Sequence, residues 1–560
     1  MKNVFCIGGI ILISFLLRIY GINWDNGYHL HPDERMITMV VNDIHFPNNS
    51  ELSTIFTPES PLNPKFFPYG SFPIYLLKTV GGFLGIFNIK YTTYDYLNII
   101  GRYISALFDT GIVFIIYLLG KKIFNKKVGL LSSVFYSLSV FPIQASHFFA
   151  VDVMLTFFVI LTLYFIVILL INNNIKLIIN IGLSFGFALA TKISSILLVV
   201  PISLGILFFC LINKKKTVVK IISLFKYLFI TLLLSFFTFI LLEPYSVIDF
   251  ATFSRQTLEQ SRMTKDAFTF PYTLQYVNTI PYLYHLKNMT LWGMGIPLGV
   301  LSIIGSLYIT FYVIKEFFKK KYLSEKSFFP ILIILSFFWI YFFITGRFAI
   351  KFMRYFLPIY PLFILFGANL IFSLRNIVVK IICIILAVSW CLIYSISFLS
   401  IYSKPTTRLS ASNWISNNIP EGAIIAREHW DDGLPLFGGE KYKFEELKLY
   451  EQDTDFKWQE INEQLKKTDY IIIASNRLYV PLQKLVNCSK LPQGRCYTKT
   501  SEYYQKLFGG KLGFKKAAEF LAYPEIPLIK LSIIDDYADE SFTVYDHPKV
   551  IIFKKMNDYQ

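Results

Sequence analysis

Residues 151–171, VDVMLTFFVILTLYFIVILLI, place twenty apolar or hydroxyl side chains behind a single charge, Asp152. A helix of that length rises about 30 Å, the thickness of a bilayer's hydrocarbon core. Ten similar runs surround it, at 4–22, 99–119, 128–146, 176–191, 194–212, 221–243, 292–314, 328–346, 354–374 and 379–401. The fold class expected is therefore a polytopic α-helical membrane protein with about eleven transmembrane helices. The whole composition agrees, with 54% of 560 residues hydrophobic and only 16% charged, which excludes an ordinary soluble chain or a disordered one. Arg18 and Tyr20 close the first run and no small-residue cleavage pattern follows, so that run reads as a retained anchor.

The formal charge of +17 raises the question of a nucleic-acid partner. Its distribution answers it. Loops 121–127, 172–176, 213–220, 315–326 and 375–380 hold sixteen Lys/Arg against two acids, Glu316 and Glu325. Residues 23–98 hold seven acids and four bases, 244–291 three and four, and the tail from 402 onward twenty-two of each. The basic excess is thus a positive-inside signal, with no basic face on a soluble domain for nucleic acid. An apolar stretch at 71–88 carries Lys78, Pro73, Gly81, Gly82 and Gly85. Counting it as a span would invert every later loop, so it is expected in or on the outer interface. An odd number of spans then puts the tail outside: a multi-pass inner (plasma) membrane protein with an extracytoplasmic C-terminal domain.

The expected domains are 1–403, a transmembrane domain with outer loops 23–98 and 244–291, and 404–560, a small α/β domain. The tail alternates a helix at 408–418, strands at 423–427 and 443–450, a helix at 456–467, a strand at 470–475, helices at 478–487 and 500–508, and strands at 513–522 and 542–554. Of six cysteines, Cys6, Cys210, Cys383 and Cys391 fall in apolar runs; Cys488 and Cys496 share the tail, where an oxidising compartment would allow them to pair.

Ionisable side chains at membrane depth are costly, and those here fall at outer helix ends: Arg102, Asp152, Lys192, Glu243, Arg347, Lys351 and Arg354. They face Tyr28-His29-Leu30-His31-Pro32-Asp33-Glu34-Arg35, just after the first run. Asp109, about ten residues inside its helix, reads as a satisfied structural partner. Two adjacent carboxylates suit general-base work on an attacking hydroxyl, and neighbouring cations suit a departing phosphate. No H-E-x-x-H, G-x-x-x-x-G-K or G-x-G-x-x-G pattern occurs.

In order and spacing, several pieces resemble the glycosyltransferase C (GT-C) superfamily, in particular bacterial polyprenyl-phosphate-dependent transferases similar to protein O-mannosyltransferases and the lipid A aminoarabinose transferase. They are His31-Pro32-Asp33-Glu34-Arg35, Asn63-Pro64-Lys65-Phe66-Phe67-Pro68-Tyr69-Gly70, Gly101-Arg102-Tyr103-Ile104-Ser105-Ala106-Leu107-Phe108, His147-Phe148-Phe149-Ala150-Val151-Asp152, Ala190-Thr191-Lys192 and Phe352-Met353-Arg354-Tyr355. The resemblance implies an inverting transfer of a sugar from a polyprenyl-phosphate donor to a protein, glycan or lipid acceptor. It makes Asp33 the catalytic base and Glu34 its catalytic companion, orienting it or an acceptor. Arg35 and Lys65 would contact phosphate, Lys192 and Arg354 would assist, and Asp152 would bind acceptor or sugar. No cofactor is expected, and the sequence leaves a divalent metal open.

Trp414-Ile415-Ser416-Asn417-Asn418-Ile419-Pro420-Glu421-Gly422 followed by His429-Trp430-Asp431-Asp432-Gly433 resembles the start of the soluble domain of oligosaccharyltransferase catalytic subunits, with His429 and Asp432 departing from the W-W-D-x-G pattern. En bloc glycan transfer to protein is thus one alternative, and loss of activity on chelation would favour it. A lipid or solute transporter is another, disfavoured because the charges gather at one face and no inverted repeat of broken helices is evident.

Overall fold

The computed structural model describes residues 2–212, 217–319, 328–526 and 529–556. Loop lysines 214–216, 320, 321 and 326, together with Glu325, lie outside the described residues. The chain divides into two compact units. The first comprises Met1–Ile22, His31–Arg262 and Ile280–Ile396; the second comprises Asn23–Leu30, Met263–Thr279 and Ser397–Gln560.

The first unit is helical. Among the described residues eight helices are long and apolar enough to cross a membrane, a bent pair at Lys126–Ser137 and Val140–Ser146 makes a ninth, and Phe5–Ile19 and Leu177–Thr191 are shorter apolar helices. Eight, one and two give the eleven apolar segments read from the sequence. In chain order the first ten helices are α1 (Lys2–Ile19), α2 (Pro32–Asp43), α3 (Ser71–Gly85), α4 (Tyr94–Ile123), α5 (Lys126–Ser137), α6 (Val140–Ser146), α7 (Val151–Asn172), α8 (Leu177–Thr191), α9 (Val199–Ile212) and α10 (Thr217–Leu242). Helix α3 has 15 residues and carries Lys78, whose Nζ donates to Val41 O at 3.0 Å. Four further long apolar segments, Ile296–Phe318, Phe328–Gly346, Met353–Ser373 and the helix starting at Ile377, complete the set.

Polar locks hold this apolar bundle in register. Arg18 of α1 donates from Nε to Asp109 of α4 at 2.5 Å, and Tyr136 of α5 donates its hydroxyl to the same carboxylate at 2.7 Å. All three are fully buried. A carboxylate at that depth is tolerable because both oxygens are occupied. His147 is a similar fastening: its two ring nitrogens meet the carbonyls of Ile143 and Tyr20, both at 2.8 Å.

The second unit is built on a five-stranded sheet of order β2-β1-β3-β7-β4, with β1 (Ile424–Glu428), β2 (Lys443–Leu447), β3 (Tyr470–Ile473), β4 (Phe514–Phe520) and β7 (Val550–Lys555). Strand β1 runs parallel to β2 and β3, and β7 runs antiparallel to β3 and β4. All four residues of β3 are buried, as a central strand covered on both faces demands. Helix Thr407–Asn418 supplies Ala411 and Ile415 to one apolar cluster; Ile461, Leu465, Tyr503, Tyr504 and Leu507, from helices Asp455–Lys467 and Thr498–Phe508, belong to the other. Leu274, in an expected outer loop, belongs to that second cluster. A separate two-stranded ribbon pairs β5 (Glu525–Ile526) with β6 (Leu531–Ser532). The strand expected over 542–554 is realised only from Val550. Asp539 caps a short helix at Glu540–Thr543 by accepting from Ser541 N–H, and Pro548 has no N–H to give a ladder. Cys488 and Cys496 are joined, with Cα atoms 5.1 Å apart.

Candidate functional site

Helix ends position the site. His31 caps α2, its Nδ1 accepting from Glu34 N–H at 3.3 Å, and Pro32 occupies a first-turn position where a missing N–H costs nothing. This sets Asp33 in the first turn of α2, as Asp152 is in the first turn of α7. Lys192 is the residue that ends α8. Anions thus sit at helix N-termini and a cation at a C-terminus, where each macrodipole favours them. The segment bearing Tyr69 reaches this place because Gly70 has no side chain. A Cβ there would lie 1.9 Å from Ala190 O, and Gly70 N–H donates to Thr191 O at 3.0 Å.

Four charges then converge. Arg354 Nη1 is 2.7 Å from Asp33 Oδ2, and its Nε is 3.7 Å from Asp152 Oδ2. Lys192 Nζ is 2.7 Å from Asp152 Oδ1. Aromatic faces steady the cations: Arg354 lies over Phe352 at 4.6 Å, and Lys192 over Tyr355 at 5.2 Å. Tyr69 hydrogen-bonds to Asp33. Burial pushes the Asp33 carboxyl up, but Arg354 foremost, then His31, the Tyr69 hydroxyl and Lys192, hold it below the usual carboxylate range. The same surroundings drive the Tyr69 phenol well above its ordinary value, by burial first and then by the Asp33 charge, so it remains a donor. Asp33 is therefore ionised at neutral pH and restrained by a cation. Its side chain retains 20% of its exposure, so it is reachable from outside the protein.

Glu34, adjacent in sequence, is in a different position. Its carboxylate is fully buried against Arg102 of α4, with Oε1 2.6 Å from Nη2 and Oε2 3.0 Å from Nε. Oε2 also accepts from Phe149 N–H at 2.8 Å, and Arg102 Nη1 donates to Ile22 O at 2.9 Å. Successive helical residues diverge by about 100°, so two adjacent acids in α2 point to different neighbours. In the structure Glu34 stands apart from the Asp33 cluster, fastens α2 to α4 and to the turn before α7, and has no exposed face.

Arg35 is partly exposed in α2, and its backbone N–H donates to His31 O at 2.9 Å. Lys65 is exposed, and its backbone is held by Asn63 Oδ1 on N–H at 3.0 Å and by Gln256 Nε2 on its carbonyl at 3.1 Å. Of the residues expected from sequence, Asp33, Asp152, Lys192 and Arg354 form one cluster. Glu34 stands in a second, and Lys65 is a solvent-facing cation. Tyr69, Tyr355 and Arg102 belong to the arrangement without having been assigned a role; their signal was position alone, beside Gly70, Arg354 and Gly101. Among the described residues no group of three or more His, Cys, Asp or Glu is placed to hold a metal ion.

Comparison with known proteins adds three results. Residues 98–242 match a family model described as dolichyl-phosphate-mannose-protein mannosyltransferase. No curated protein matches the chain. Among solved structures, the chain is similar to the archaeal oligosaccharyltransferase AglB from Archaeoglobus fulgidus in complex with an inhibitory peptide and a dolichol-phosphate, with a TM-score of 0.50 and 13% identity over 99% of this chain and 88% of that one. It also matches ArnT from Cupriavidus metallidurans bound to undecaprenyl phosphate (TM-score 0.46, 10% identity, 87% and 95% covered) and the S. cerevisiae protein O-mannosyltransferase Pmt1-Pmt2 complex bound to the sugar donor (0.34, 14%, 49% and 36%). A helical membrane unit followed by a strand-containing C-terminal unit is thus a fold similar to that of AglB, and residues 98–242 resemble the mannosyltransferase family model.

Proposed function

We propose that the protein is an inverting glycosyltransferase that moves a sugar from a polyprenyl-phosphate donor to an acceptor hydroxyl on the extracytoplasmic side. The observation that carries this reading is the Asp33–Arg354 pair, a reachable carboxylate bound at 2.7 Å to a cation that a phosphate could claim instead. When the donor binds, its phosphate takes Arg354 as a partner, with Lys65 and Arg35 available as further cations. Asp33 loses a counter-charge and becomes a stronger base. It then accepts the acceptor's proton as the acceptor oxygen attacks the anomeric carbon. The carbon–oxygen bond to the phosphate breaks with its electron pair, and the polyprenyl phosphate leaves with its charge spread over the cations. Tyr69 holds Asp33 in place. Lys192 holds Asp152 in place at 2.7 Å, where it can accept from sugar or acceptor hydroxyls.

The basic short loops support an extracytoplasmic tail, and so does the Cys488–Cys496 bond, which an oxidising compartment would maintain. The sugar is a hexose or pentose, and the acceptor a protein, glycan or lipid. Mass spectrometry of the cell envelope with and without the gene tests the reading: one class of molecule should lose a single sugar. An unchanged envelope, together with no release of polyprenyl phosphate by the purified protein, would refute it.

A further inference from the structure

The β5–β6 ribbon stands apart from the five-stranded sheet. Three large apolar side chains beside it are open to solvent within six residues: Ile529, Leu531 and Ile534 are 66%, 58% and 59% exposed. Single exposed apolar residues are ordinary on a soluble surface, but such a run on one small ribbon marks a contact surface. What it contacts is indicated by how the ribbon is held. Glu525 N–H donates to Ser400 Oγ at 3.0 Å, and Lys404 Nζ lies 2.9 Å from Glu525 Oε2. Ser400 directly follows Leu399, the last residue of the apolar helix Ile377–Leu399. With a rise of 1.5 Å per residue, the root of the ribbon is fastened within about a turn of the level at which that helix leaves the hydrocarbon.

The local charges fit the same boundary. Lys530 stands between the apolar side chains, while Lys404 at the root is paired with Glu525. Long cationic side chains at this level place their stems against acyl chains and their ammonium groups among phosphates. Lys530 adopts a positive φ of 52°, so the chain turns sharply between Ile529 and Leu531. We infer that Ile529, Leu531 and Ile534 enter the headgroup–acyl boundary of the leaflet from which the last helix emerges, so that the C-terminal unit is fixed to the bilayer at a second point besides its covalent link. The partner is the lipid surface itself, recognised by apolar burial and by Lys530. This inference rests on the membrane reading and not on the sugar-transfer reaction.

The test uses the full-length protein in nanodiscs of phosphatidylethanolamine and phosphatidylglycerol, with the four free cysteines replaced by alanine and the Cys488–Cys496 bond kept. Nitroxide labels are attached to the single variants Ile529→Cys, Leu531→Cys, Ile396→Cys in the last helix and Phe456→Cys. Phe456 is 75% exposed on the helix Asp455–Lys467 and serves as the water reference. Collision rates with oxygen and with a water-soluble nickel chelate give depth. The expected result is an oxygen-to-nickel ratio at 529 and 531 several-fold above that at 456 and approaching that at 396. Ratios equal to that at 456 would overturn the inference. So would protection from both reagents, which would mean that protein rather than lipid covers the ribbon. Each label replaces one exposed side chain, and an unchanged elution volume confirms that the variant is folded.

Discussion

Replacing Arg102 by methionine should destabilise the membrane unit far more than any change at Asp33. In the native protein the Glu34 carboxylate accepts from Arg102 at 2.6, 3.0 and 3.2 Å and from Phe149 N–H at 2.8 Å, with no exposure on the Glu34 or Arg102 side chain. Arg102→Met removes the cation that pairs a buried carboxylate, which costs about 3–5 kcal/mol. Glu34→Leu strands a buried guanidinium and also orphans Phe149 N–H, a loss of the same order. The double variant Glu34→Leu/Arg102→Met strands no charge; Phe149 N–H and the Ile22 carbonyl each lose a partner, at about 1–3 kcal/mol apiece. The double variant should thus be more stable than either single one, with a coupling of several kcal/mol. Steric-trap unfolding in bicelles measures all four corners of the cycle. If the two single losses add to the double loss within about 0.5 kcal/mol, Glu34 and Arg102 are not acting as a pair and the structural role given to Glu34 fails.

Three further outcomes are expected. Lys65→Ala should weaken donor use by about 1.5–3 kcal/mol, one charge-assisted hydrogen bond, and appear in KM for a polyprenyl-phosphate sugar; an equal defect with a donor lacking phosphate would contradict the assignment. The C-terminal unit should lose stability as pH rises. His547 is buried between Asp535 (3.0 Å) and Asp546 (2.5 Å); burial opposes its charge, but the two carboxylates raise it from 6.5 to about 10. Its contribution is complete below about 6.5 and disappears as pH climbs through about 10. Glu428, raised by burial from 4.5 to about 8, is protonated in the fold at neutral pH, so its ionisation costs stability progressively between those values. Thermal melts of the full chain should fall from pH 6 to 9, and Glu428→Gln, which keeps an acceptor for Tyr504 at the 2.6 Å contact, should flatten part of that fall. Finally, cleaving Cys488–Cys496, which closes a loop with a sequence separation of 8, should cost the C-terminal unit about 2–3 kcal/mol, read as a lower melting temperature in reductant.

Apolar periodicity and charge sign made the membrane unit legible before any coordinates, because a bilayer imposes length and polarity on every span. The tail's β1 and β3 were legible for a related reason: short apolar runs bounded by turn residues. Adjacency in space was not. Residues 263–279 read as an outer loop, yet Leu274 packs with the tail's own core, a long-range contact that no local pattern encodes. The two acids of α2 illustrate the same limit. Asp33 and Glu34 have the same chemistry and neighbouring numbers, and only the helical turn, with Arg354 on one side and Arg102 on the other, separates a reachable carboxylate from a buried one. Tyr69 was visible as a motif letter, while its bond to Asp33 depends on Gly70 lying against the end of α8.

The most direct test of the account is Asp33→Asn, which keeps the size of the side chain and removes the base. In purified protein of native melting temperature, supplied with donor and with the acceptor identified from the envelope, transfer should fall by about 10²–10⁴-fold, the contribution of a positioned general base. Turnover within a few-fold of the native rate would contradict the central claim that Asp33 takes the acceptor's proton.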